Sequence, residues 1–135
     1  MSRKTKSPEA GYIYVFRDPL NNNLIKVGLS KNPAARRMQL HTTGTALPMN
    51  IYHVWRVSDK WLAERAAHAI LDDHRINGRR EFFEIAPLPY FNDFERRNYD
   101  VASIFLDVLI DRVEDGFDYW DIAYRVASIE EIFNS

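Results

Sequence analysis

The stretch from Gly11 to Arg37 constrains the fold more than any other part of this chain. Tyr12-Ile-Tyr-Val-Phe16 is aromatic and β-branched, which suits a strand. Asp18-Pro-Leu-Asn-Asn-Asn23 reads as a turn, because Asn and Asp bond their own backbone and tolerate left-handed geometry. Leu24-Ile-Lys-Val-Gly28 then forms a second strand, giving an antiparallel hairpin. Asn32 is placed to cap a helix with Pro33 at its first position, and this helix reaches about Leu40. Asn50–Val57 is a third strand. The expected class is α+β, with a small three-stranded antiparallel sheet flanked by helices.

Ser58 and Asp59 can cap a helix from Trp61 to about Arg75, with Leu62, Ala66, Ala69, Ile70 and His74 sharing one face. Asn77-Gly78 ends it, and Glu81–Ile85 is a short strand or an extended segment. Ala86-Pro-Leu-Pro-Tyr90 breaks the composition. We therefore divide the chain into a flexible basic tail at 1–9, a core domain at 10–86 and a helical extension at 87–135. In the extension Asp100 caps a helix through Val113, Gly116 interrupts, and Asp118 starts another to about Phe133. The expectation is an acidic αα-hairpin packed on the core.

Charge is divided along the same line. Residues 1–86 hold 14 Lys and Arg against 8 Asp and Glu, whereas 87–135 hold 4 against 11. The first part can neutralise phosphates and the second repels them. Cysteine is absent, which excludes disulfides and thiolate zinc sites. His41, His53, His68 and His74 do not recur at a metal-ligand spacing. No apolar run approaches membrane-spanning length, and the basic start lacks the apolar stretch of a leader. A soluble protein of the cytoplasm is expected.

The order Gly11-Tyr12-Ile13-Tyr14, then Lys26-Val27-Gly28, then Arg36, resembles the catalytic half of the GIY-YIG nucleases. It is most similar to a phage-associated branch whose second triplet reads Lys-Ile/Val-Gly. The resemblance spans residues 11 to about 85 and implies a metal-dependent endonuclease leaving 5′-phosphate and 3′-hydroxyl ends. It implies that Tyr14 lies beside the nucleophilic water as a base or positioner. A phenol with a pKa of about 10 can act as a base only if positive charge lowers that value; the other reading is a packed strand aromatic. Tyr12 shares a face with Tyr14.

Lys26 stands where the family has a tyrosine. Its charge suits a phosphate contact or a lowering of the Tyr14 pKa, and a solvated strand lysine is equally consistent. Gly28 would let backbone approach the site. The resemblance gives Arg36 the scissile phosphate, which its guanidinium fork can hold at two oxygens. It gives Glu64 the metal, Mg²⁺ or Mn²⁺, with Glu81 in reserve; one hard carboxylate suffices for Mg²⁺, which keeps most of its waters. His68, one turn after Glu64, is a base, a phosphate ligand or a packed histidine. Lys31, Arg37, His41, Thr42, Thr43, Arg79 and Arg80 are candidate nucleic-acid contacts.

The partner implied is nucleic acid, DNA first. For the acidic helices three roles stand: packing on the core, restraining the site by pairing with the basic face, or binding a protein partner. A binding or regulatory module that keeps the fold without cleaving is the alternative to the nuclease, and Lys26 and the acidic extension are the features that favour it.

Overall fold

The computed structural model describes residues 7–41, 47–76, 78, 80–87 and 92–134, with His41 described by its backbone alone. The elements in chain order are β1 (Gly11–Arg17), β2 (Leu24–Ser30), α1 (Pro33–His41), β3 (Asn50–Val57) and α2 (Lys60–Ile70). After a 3-10 turn (Asp72–His74) come β4 (Phe82–Glu84), α3 (Asp93–Arg97), α4 (Tyr99–Tyr119), β5 (Tyr124–Val126) and α5 (Ile129–Asn134). The sheet is antiparallel throughout, in the order β4-β2-β1-β3-β5.

The α+β class holds, but the sheet has five strands where three were expected. Both additions are only three residues long, too short to carry an alternating pattern of their own. β4 is the extended segment expected near Phe82, paired with β2 from Leu24 to Lys26. β5 lies inside the stretch read as the second helix of a hairpin.

That hairpin is not formed. Gly116 does not interrupt, and α4 runs on to Tyr119. A glycine inside a helix costs only about 1 kcal/mol. Here it also makes room, since a Cβ on Gly116 would come within 3.0 Å of Ile70 on α2. The helix ends instead at Asp121, which adopts a left-handed φ of 56°. Ile122 N–H donates to Phe117 O at 2.9 Å and Asp121 N–H to Asp118 O at 3.2 Å, a Schellman closure with aspartate in the usual glycine place. The chain then turns back along β3.

The helix capped by Asp59 likewise stops at Ile70 rather than near Arg75, and it buries Lys60, Ala63, Ala66 and Ala67. Asp59 accepts from the Trp61 and Leu62 amides, as a capping residue should.

Both faces of the sheet are covered. On one, Ile13, Val15, Ile25, Val27, Trp55 and Val57 pack with alanines of α2 and with Leu106, Leu109, Val113 and Phe117 of α4. On the other, Tyr12, Tyr14, Phe16 and Val54 pack with Ala34 and Leu40 of α1 and with Ala127 and Ile132 from the C-terminal segment. This alternation along β1 follows from strand geometry and confirms that Tyr12 and Tyr14 share a face. Each large apolar side chain so buried contributes about 1.5–3 kcal/mol.

Arg17, 1% exposed, fastens α4 to the hairpin. It donates to Asn22 O, Ser103 Oγ and Tyr99 O, and its guanidinium lies 4.1 Å from the Tyr99 ring centre. The α4 acids serve the core as well: Asp107 accepts from the Tyr52 hydroxyl and Glu114 from the Trp55 indole. Among the described residues no ion pair joins the acids of α4 to the basic first part.

Candidate active site

The site forms where β4 stops short. β4 covers the outer edge of β2 only to Lys26, and Glu81 O then takes the Val27 amide at 2.9 Å. The next outward groups of β2, Val27 C=O and Leu29 N–H, need partners that no strand supplies. Side chains of α2 supply them. His68 Nε2 lies 2.8 Å from Val27 O, and Leu29 N–H donates to the Glu64 carboxylate. Residues four apart share a helix face, so Glu64 and His68 complete the edge together.

A cavity of about 440 Å³ opens beside this edge, lined by Lys26, Glu64, His68, Arg80, Glu81 and Phe82. Five of the six carry polar or charged heads. Lys26, itself buried, is ion-paired with Glu81 and lies 4.6 Å from the Phe82 ring centre. Lys26 is thus not the solvated strand lysine that was one reading of it, and its ion pair with Glu81 is a contact the sequence did not suggest.

Tyr14 reaches the site from the inner strand. It pairs directly with Gly28 across β1 and β2, and its phenol lies over that glycine. A Cβ on Gly28 would sit 2.4 Å from the Tyr14 oxygen. Gly28 thus makes room for the tyrosine side chain, where an approach of backbone to the site was expected. The ring also stacks on Phe16 at 4.0 Å. Arg36, on α1, hydrogen-bonds the phenol oxygen and is half-buried. Asn32 caps α1 by accepting from the Ala35 amide at 3.1 Å, which fixes the turn that aims Arg36 inward.

Electrostatics separate the two groups that matter most. Burial pushes the Tyr14 phenol up to about 12, more than the Arg36 hydrogen bond can offset; the fields of Glu81 and Glu64 act in the same direction as burial. Tyr14 therefore stays protonated near neutral pH, with its oxygen hydrogen-bonded by Arg36. Glu64 is also raised, first by burial, with Glu81 adding to it; His68, the Leu29 amide and Arg80 pull it back. A partly buried carboxylate held at such cost suits a hard cation. Glu81 is committed to Lys26, so Glu64 is the better donor. Among the described residues no cluster of three or more His, Asp or Glu forms a closed metal cage. The donor set fits Mg²⁺ held by one carboxylate, water and substrate oxygens.

His68 can be assigned a tautomer on chemical grounds. Its Nε2 faces a carbonyl, which only accepts, so Nε2 carries the proton and Nδ1 is the basic nitrogen. The other expected contacts are dispersed. Arg80 is exposed at the cavity rim. Arg37 donates to Met49 O, holding the loop ahead of β3. Lys31 is exposed and pairs with Glu9. The His41 side chain, Thr42, Thr43 and Arg79 lie outside the described residues.

Sequence reasoning passed over Glu9 and Lys60. Lys60 is a buried lysine at the first position of α2, where the helix dipole disfavours a cation. That misplacement was the available signal.

Residues 11–103 match the T5orf172 domain family, which is most of the chain. The protein belongs to that family, and membership points to a nucleic-acid-related, nuclease-like role. No curated protein and no solved structure matches the chain. Among the described residues no helix is long and apolar enough to cross a membrane.

Proposed function

We propose that the protein is a metal-dependent endonuclease of the GIY-YIG type, hydrolysing phosphodiester bonds in DNA. The observation that carries this reading is the convergence of Tyr14, Arg36, Glu64 and the Lys26–Glu81 pair from four elements at one strand edge. Family membership supports it.

Arg36 grips the scissile phosphate; the guanidinium keeps its charge and can exchange the phenol oxygen for phosphate oxygens. Tyr14, protonated and pinned over Gly28, orients the attacking water through its hydroxyl. His68 keeps Nε2 on Val27 and offers Nδ1 for the water's proton. Lys26 and Arg80 add positive charge around the carboxylates. Glu64 would hold Mg²⁺, which when bound supplies neutralisation of charge on the phosphoryl oxygens.

Plasmid DNA incubated with Mg²⁺ or Mn²⁺ tests this directly. Wild type should nick it, and Glu64→Ala and Arg36→Ala should each lose about 10²–10³ in rate, the usual size for removing one transition-state contact. Cleavage surviving both substitutions would remove the assignment. A second reading, a binding module without cleavage, is favoured by the Lys26–Glu81 pair, which spends one of the two carboxylates. DNA bound and left intact with every divalent ion tried would select it.

A further inference from the structure

One step along from the cavity, three charged groups share a single oxygen. Glu9 Oε1 lies 3.1 Å from Lys60 Nζ and 3.4 Å from Lys31 Nζ. The side chains differ sharply in exposure: Lys60 4%, Glu9 43% and Lys31 78%. Lys60 is thus the buried member of the cluster, and the carboxylate it pairs with is open to solvent. Its stem runs over Gly11, where a Cβ would come within 2.7 Å of Lys60 Cδ, and its Nζ lies 4.8 Å from the Trp61 ring centre. Desolvating an ammonium group costs several kcal/mol unless it is paired, so a buried lysine needs an anion here. The two lysines hold the Glu9 carboxyl below its ordinary range, despite its exposure.

Position relates this cluster to the cavity. β2 carries Leu29, which bonds Glu64, and Lys31 follows directly after the strand's last residue, two on from Leu29. α2 carries Glu64, and Lys60 one turn earlier on the same face. Both lysines are displaced from the site in one direction, Lys31 just past the end of β2 and Lys60 at the start of α2.

Resting on the nuclease reading above, we propose that Lys31 and Lys60 form a subsite for a backbone phosphate flanking the scissile one. Glu9 occupies that subsite in the free protein as a carboxylate stand-in. A phosphodiester presents the same anionic oxygen chemistry as the carboxylate, and two ammonium groups are compact, rotatable donors to it. On binding, the phosphate takes the Lys60 Nζ hydrogen bond and Glu9 swings to solvent, which its exposure allows. The cluster thus tunes affinity, because a strand must displace an internal anion to seat fully.

Anisotropy of a labelled DNA duplex in EDTA, across a KCl series, tests the subsite without cleavage. Lys31→Gln should weaken binding and lower the slope of log K against log salt by about 0.9, one phosphate's share on a duplex. Glu9→Gln should tighten binding roughly three- to tenfold, the size expected for freeing two ion-paired cations. Lys31→Gln alters a solvent-facing side chain, so its result stands even if Glu9→Gln folds poorly. Wild-type affinity and slope in both variants, with only the melting temperature changed, would overturn the proposal and leave Glu9 as a fastening for the N-terminal segment. Cleavage in Mg²⁺ on the same preparations reads the nuclease assignment separately. Slope changes on DNA that is never cut would keep the subsite and remove the nuclease.

Discussion

Glu64 is the residue whose environment works against the fold. Its pKa is raised, by burial before anything else, so the folded protein binds its proton more tightly than the unfolded chain does. Any stability from this group is then full below the ordinary glutamate range and is lost as pH rises through the folded value. Glu64→Gln should accordingly melt at a higher temperature than wild type near neutral pH, and the gain should vanish on acidification below that range. Added Mg²⁺ should raise the melting temperature of wild type and not of the variant. Identical melting curves at every pH and Mg²⁺ concentration would show that Glu64 is neither strained nor a ligand. At this scale the sequence was informative where spacing is local: Tyr14 and Gly28 pair as the hairpin requires, and Arg36 follows from the Asn32 cap. It was silent on Glu9 with Lys60 and on Lys26 with Glu81, because those partners are 51 and 55 residues apart and only the fold brings them together.

Among the elements, β2 is the one under-supported. Its outer edge is completed by two side chains of a helix, so His68 has a structural task whatever its chemistry. Removing it leaves the Val27 carbonyl without its partner, at a cost of about 1–3 kcal/mol. Urea unfolding should show that loss in His68→Ala and recovery of part of it in His68→Gln, whose amide can donate to the same carbonyl. A general base behaves differently: His68→Gln would then stay inactive despite its restored stability. Full activity in His68→Gln would confine the histidine to positioning. The element most misjudged from sequence was α4. Gly116 and Asp118 carry the ordinary signs of a break and a cap, yet the Ile70 contact turns the glycine into a packing site and Asp121 closes the helix. Helix-end chemistry that depends on a neighbour in a distant element is not visible in a local pattern.

For the whole molecule, the acidic second part is structural before it is anything else. α4 fills one core, and the C-terminal segment closes the other: Tyr12 donates to Glu131, which Arg125 holds with two hydrogen bonds. Arg125 and Tyr12 depress the Glu131 carboxyl to about 2. A chain ending at residue 121 loses β5 and α5, and the Tyr12, Tyr14 and Phe16 face loses Ala127 and Ile132 from its cover. We expect that truncation to abolish cooperative melting by circular dichroism and to expose dye-binding apolar surface. A truncated chain with a sharp melt and wild-type cleavage would refute this account of the segment.

β5 bears on the order of assembly. It pairs with β3, which precedes it by about half the chain, and α5 contributes Ile132 to the same cover as Tyr14. The sheet is therefore sealed from its late end. During synthesis the tyrosine, the arginine helix and the Glu64 helix all emerge before the residues that pack behind them. Tyr14 therefore lacks part of its final cover until residue 132 has left the ribosome, so that face of the sheet is the last to be closed.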